Sequence, residues 1–226
     1  MSEGYIVYII CSILSFIPAM VVHEVAHGFV AFKLGDTTAK RSGRLSLNPI
    51  KHIDPFGTII LPLLMLATNG PIFGYAKPVP VNPSYFKNPK VGDALCGLAG
   101  PAANLVMALI GAGVAWALYP LLPEMYDNTF FMYFYIYFLR IFVLVNLFLM
   151  FFNLLPIPPL DGSSVLALVI PDKYLPQYYR LQHYAFPVFL IVMIAFPYFF
   201  NFAPFSWYLS VTAGNLANLI FPFEIY

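Results

Sequence analysis

The chain has 226 residues, of which 61% are hydrophobic and 9% charged, and its formal net charge is +1. A water-soluble domain carries about 25% charged residues, so the polar surface is too small for a soluble globule, and the mean hydropathy of +0.79 marks an integral membrane protein. So small a net charge gives no reason to expect a nucleic-acid partner. The two cysteines, Cys11 and Cys96, lie in apolar segments and read as small buried hydrophobes.

A helix that crosses a bilayer needs about 20 predominantly apolar residues. In chain order such runs fall at 5–32, 94–119, 130–155, 184–201 and 205–223. The first lacks the basic leader and small-residue exit of a cleaved signal and is expected to stay in the protein. A shorter run, Ile59 to Thr68, contains Pro62 and lies between Gly57 and Gly70.

Lys and Arg collect on the cytoplasmic side of membrane proteins. Lys33, Lys40, Arg41, Arg44 and Lys51 follow the first run, and Lys77, Lys87 and Lys90 precede the second. The connection 120–129 carries only Glu124 and Asp127, whereas 171–183 carries Lys173 and Arg180. This distribution places the N-terminus outside, 33–52 inside, 120–129 outside and 171–183 inside. With 33–52 and 77–93 both inside, the run 53–76 must enter the membrane and return. Its length, Pro and Gly content suit a re-entrant segment; one short tilted crossing is the alternative. Non-helical backbone at membrane depth is tolerated only beside protein or a water-filled cavity.

Within the first run stands "MVVHEVAHGFVAF", which puts His23, Glu24 and His27 where a lipid-facing span wants no ionisable group. One such group at mid-bilayer costs roughly 2–3 kcal/mol on insertion scales. The spacing is H-E-x-x-H. Residues i and i+4 share a helix face, so both imidazoles can reach one metal while Glu24 projects toward a bound water. A polar patch bonding neighbouring helices is the plainer alternative.

A catalytic zinc takes three protein ligands and keeps a fourth position for water. His52, His183 and the acids remain as candidates for the third. Asp161 is the acid at the end of a long apolar span, in "NLLPIPPLDGS". Pro156, Pro158 and Pro159 stop the helix, since proline lacks a donor and disfavours helix in the residue before it. The extended stretch delivers Asp161 at the same depth and side as His27, which favours ligation over a helix cap.

The stretch "GYAKPVPVNP" alternates prolines with other residues. Pro78 and Pro80 remove donors from one edge of an extended strand, while Lys77, Val79 and Val81 keep theirs on the other. Such a strand is half of a hairpin, or an edge to which an unwound substrate adds, or a Pro-rich surface turn.

These residues resemble the site-2 protease family of intramembrane zinc metalloproteases, and the resemblance covers most of the chain. His23 to His27 looks like the family's zinc-binding motif. Asn153 through Gly162 looks like its N-x-x-P-x-x-x-x-D-G motif, and Gly97 through Asn104, "GLAGPAAN", is similar to the opening of its middle core helix. The segments 48–57 and 74–83 look like the small prokaryotic branch, and no room exists for a PDZ or CBS domain. The resemblance implies one Zn2+ per chain held by His23, His27 and Asp161, with Glu24 as the catalytic glutamate and Asn153 near the active site. It implies regulated intramembrane proteolysis of a transmembrane protein or peptide substrate in the lipid bilayer of a prokaryotic cell membrane. It also favours a short membrane-dipping β element at Lys77, Val79 and Val81.

Asn153 and Asn104 are candidate donors to the substrate backbone or oxyanion; for Asn104 a helix-to-helix bond is an equal alternative. A surface or loop-pinning role is expected for His52 rather than a fourth ligand. The fold expected is an all-α polytopic membrane protein: about five transmembrane helices, a re-entrant segment and the β element. It forms a single metalloprotease domain over 1–226, with a core at 5–162 and C-terminal helices at 184–223. The competing function is a metal-binding membrane transporter or sensor using the same ligands. Such a protein wants several sites along a path and no adjacent base. Nothing in the sequence bears on the oligomeric state.

Overall fold

The computed structural model describes residues 3–60, 76–200 and 203–226. Three helices are long and apolar enough to cross a membrane: α1 (Glu3–Lys33), α2 (Pro89–Leu118, prolonged by a 3-10 turn to Leu121) and α3 (Thr129–Asn153). The 31 residues of α1 span about 46 Å at 1.5 Å per residue, more than the hydrocarbon thickness of roughly 30 Å. Its first turn is therefore outside the apolar layer. There the Tyr133 hydroxyl at the start of α3 donates to Glu3 at 2.8 Å, so α1 and α3 begin at the same end and α2 runs against both.

What lets the three pack closely is the composition of α2. Its buried positions include Gly97, Ala99, Gly100, Ala108, Gly111, Ala112 and Ala115, a face of small residues of the kind that brings membrane helices together. α1 packs against one flank of this face and α3 against the other. Opposite faces carry large exposed apolar side chains, among them Ile6, Ile10, Ile13, Leu109 and Ile110, which suit lipid contact.

The α3 helix contains a π-helical stretch, Tyr133–Leu139, before Arg140–Asn153. It ends where the prolines begin. The chain then turns through a cis Pro158–Pro159 bond into the short helix α4 (Gly162–Ala167). A Cβ at Gly162 would collide with the Leu154 carbonyl oxygen and meet that of Leu155 at 2.5 Å, so the turn closes against the end of α3 only with glycine there.

A further helix, α5 (Leu175–Phe200), follows. In place of the expected span at 205–223 stands one helical run from Pro204 to Ile220, α-helical at Pro204–Leu209 and Asn215–Ile220 with a π-helical turn, Ser210–Gly214, between. Ala213, Ala217, Phe221 and Ile225 pack with Tyr135, Leu139, Val143 and Leu147 of α3 in the largest apolar cluster. Arg140 holds this C-terminal piece through the Ile225 carbonyl at 2.8 Å.

No strand is found among the described residues. The expected β element is an extended segment, 76–82, without a ladder. Most of the expected re-entrant run, 61–75, lies outside the described residues; Pro55–Ile60 is π-helical.

Candidate active site

The last third of α1 carries His23, Glu24 and His27, and the turn after α3 brings Asp161 to them. Asp161 occupies the N-cap position of α4, yet its side chain makes no cap hydrogen bond. It reaches the histidines instead: Asp161 Oδ2 lies 3.1 Å from His23 Nε2 and 3.3 Å from His27 Nε2. The two Nε2 atoms are 3.0 Å apart. Among the described residues this is the one group of three or more His, Cys, Asp or Glu able to hold a metal ion.

The other ring nitrogens fix which atoms face inward. His23 Nδ1–H donates to Asn104 Oδ1, and His27 Nδ1–H donates to the Cys96 carbonyl, both at 2.6 Å. With the proton on Nδ1, each Nε2 offers a lone pair. Asp161 Oδ2 is buried and accepts no hydrogen bond. Three lone-pair atoms thus converge with no hydrogen among them, an arrangement that repels itself unless a cation sits at its centre. A tetrahedral zinc with bonds of about 2.0–2.1 Å separates its ligand atoms by roughly 3.3–3.4 Å. The observed triangle needs to open by only a few tenths of an ångström, so the residues fit the ion.

The α2 wall makes room for it. A methyl at Gly100 would stand 2.5 Å from both His23 Cε1 and His27 Nε2, and one at Gly97 would stand 2.8 Å from the Asp161 carbonyl oxygen. These glycines let α2 pass directly behind the ligands.

Asn104 lies elsewhere than at a substrate. It is fully buried, and its Nδ2 donates to the Ala19 carbonyl at 3.2 Å and to Asn146 Oδ1 at 3.0 Å. Both amide hydrogens are used, so the expected role as a donor to substrate or oxyanion gives way to a helix-to-helix bond that also orients His23. Asn146, in turn, donates to Phe142 O at 2.9 Å. The sequence reading left Asn146 without a role; its only signal was an amide inside an apolar span. Asn153, half-buried on the last turn of α3, donates to Leu149 O at 2.9 Å and keeps its second amide hydrogen.

Glu24 is outside the ligand triangle. Its Oε2 accepts the Val79 N–H at 2.9 Å, leaving Oε1 without a partner among the described residues. The segment that supplies this donor is pinned on both sides. Lys77 N–H donates to His52 O at 2.9 Å, and the buried Arg44 guanidinium donates to the carbonyls of Lys77 and Pro78. Asn82 N–H donates to Asp36 Oδ2 at 2.6 Å. Of the three donors expected on the open edge, Lys77 and Val79 are therefore engaged within the chain; Val81 is half-buried. A Cβ on Gly28 would stand 2.7 Å from Val79 Cγ1, which shows how closely the segment lies on α1. His52 is fully buried and donates through Nε2–H to Ser46 O at 2.8 Å, the loop-pinning role expected of it.

The pattern of peptidase family M50 matches residues 11–196, a stretch that includes every residue of the metal cluster. The chain belongs to peptidase family M50. It is similar to a Bacillus subtilis (strain 168) protein named as zinc metalloprotease YwhC, 40% identical over 185 residues, or 80% of this chain and 79% of that one. It is also similar to a Mycolicibacterium smegmatis protein named as zinc metalloprotease Rip2, 27% identical over 226 residues, covering 95% of this chain and 82% of the relative. No solved structure matches it. This M50 peptidase is an integral membrane metalloprotease whose cofactor is Zn2+.

Proposed function

We propose that the protein cuts peptide bonds within or near transmembrane helices of other membrane proteins, as one multi-pass domain whose active site faces the cytoplasm. The support for orientation is charge. Lys33, Lys40, Arg41, Arg44 and Lys51 follow the end of α1, and Lys87 and Lys90 stand at the start of α2; Glu3, Glu124 and Asp127 mark the opposite end. The positive-inside rule makes the first end cytoplasmic. In this reading α5 and the 204–220 segment also serve as membrane helices, and 53–76 enters and returns.

The observation that carries the reading is the convergence of His23, His27 and Asp161 beside a glutamate one residue from a ligand. Zinc bound there supplies a Lewis acid that polarises a carbonyl and acidifies a water. Glu24 takes the attacking water's proton on a carboxylate oxygen and passes it to the leaving amine. In this reading the second amide hydrogen of Asn153 steadies the substrate carbonyl. Asn104 and the Cys96 carbonyl keep both imidazoles turned. Val81, and Val79 once its amide leaves Glu24, offer the edge to which an unwound substrate adds as a strand; the Lys77 amide stays with His52. A transporter or sensor has no use for a proton-relaying glutamate, and the described residues hold one metal cluster rather than a path of sites.

The test separates metal binding from chemistry. Glu24→Gln is expected to retain zinc at the wild-type ratio and to lose cleavage of a purified single-span substrate by about a hundredfold or more. Asp161→Ala is expected to lower the zinc content itself. Full activity in the glutamine variant would overturn the protease mechanism, and a transporter would show metal flux in liposomes that the same change leaves intact.

A further inference from the structure

Beside the metal cluster lies a cavity of about 530 Å3. Asp161 forms part of one wall. Asp93 on the second turn of α2, Ser164 of α4, and Tyr179 and Gln182 of α5 also line it, together with apolar Pro83 and Leu160. The α5 wall is anchored to the residue two beyond Asp161: Tyr178 Oη donates to Ser163 O at 2.8 Å. The cavity is thus a built continuation of the site, large enough for a side chain flanking the bond to be cut.

Its chemistry is set by one group. Asp93 is a half-buried carboxylate with the Ser164 hydroxyl against it. None of the ion pairs among the described residues involves it. The lysine one turn before, Lys90, is committed elsewhere, donating to Ile170 O at 2.6 Å and to Asp172 at 3.2 Å. Partial burial strips a carboxylate of water, and a cation supplied by a ligand restores what was lost. Transmembrane substrates carry Lys and Arg where they meet the cytoplasm, which is the end at which this cavity opens in the reading above.

We infer that the cavity is a specificity subsite in which Asp93 binds a Lys or Arg side chain of the substrate next to the cut. The inference rests on the protease reading. Asp93 touches no reacting atom; it selects and places the substrate.

The experiment uses the full-length, zinc-loaded protein in detergent and a series of single-span substrates. Each carries Lys, Gln or Glu at one position, scanned along both flanks of the cut, and kcat/KM is measured for each. One position is expected to prefer Lys over Glu by about five- to tenfold, the range of a partly desolvated charge pair. Asp93→Asn is expected to collapse that ratio toward one, Asp93→Lys to invert it, and Asp93→Glu to preserve its direction, with zinc content confirming that each variant is folded. An unchanged Lys-to-Glu ratio in Asp93→Asn, or no position with a preference in the wild type, overturns the subsite while leaving the protease reading standing. Failure to cleave any member of the series overturns the protease reading and the subsite with it. Misfolding of both Asn and Lys variants still leaves the wild-type scan, which decides by itself whether a basic side chain is preferred.

Discussion

At the residue scale, the metal cluster depends on side chains that never touch the metal. Asn104 holds His23 through Nδ1 and is held by Asn146 in turn. Outer partners of this kind fix ring orientation, and their loss typically costs 10- to 100-fold in metal affinity. Asn104→Ala is therefore expected to weaken zinc binding by about 10- to 100-fold, read by competition with a chromogenic chelator. Asn146→Ala is expected to weaken it less, since Asn104 still reaches His23. Equal affinity in all three proteins would mean that the backbone of α1 alone sets the ring. The sequence singles out the histidines, Glu24 and Asp161 because ionisable groups in apolar runs have few uses, and the structure brings the two histidines and Asp161 together. For Asp161 the sequence favours a ligand over a cap from depth alone; the structure sets it at an N-cap position with its side chain turned to the histidines instead. For Asn104 the sequence weighs a substrate donor and a helix-to-helix bond equally, because an amide offers donors and an acceptor and no spacing rule says which of them a neighbour will use; the structure shows the helix-to-helix bond.

At the scale of elements, the extended 76–82 segment is shaped by its anchors rather than by a ladder. Asp36 is one of these anchors. Burial pushes its carboxyl upward, but the Asn82 N–H, the Thr38 hydroxyl and N–H, and the nearby Arg41 outweigh burial and bring it below the usual aspartate range. A carboxyl lowered in the folded state stabilises above its unfolded value, about pH 4, and that stabilisation fades as pH falls through the lowered folded value. The difference in melting temperature between the wild type and Asp36→Asn is thus expected to be constant above about pH 5 and to shrink below about pH 4. Thermal unfolding in detergent at a series of pH values measures it; a difference unchanged at low pH would remove Asp36 as an ionised anchor. The prolines revealed that one edge of this segment lacks donors. They could not reveal that Glu24 and His52 use donors on the other, because those partners arrive from residues 55 and 25 positions away.

At the scale of the whole molecule, hydropathy revealed α1, α2 and α3, since length and apolar content are all that a spanning helix requires. It did less for the last expected span, where the helical run ends at Ile220, carries a π-helical turn at Ser210–Gly214 and packs on α3. The topology has a direct check. With Cys11 and Cys96 replaced, single cysteines at 124–128 are expected to react with an impermeant reagent applied to intact cells, and those at 40–51 and 87–90 are expected to stay unlabelled. External labelling at 87–90 would make 53–76 a full crossing. One contact bears on how such a molecule stays idle among helices it must not cut. The amide of Val79 that clasps Glu24 is the amide an incoming strand would need, and one hydrogen cannot serve two acceptors at full strength. In the proposed function, seating a substrate and releasing the glutamate would then be a single event, and a passing helix that keeps its own backbone paired would leave the glutamate occupied.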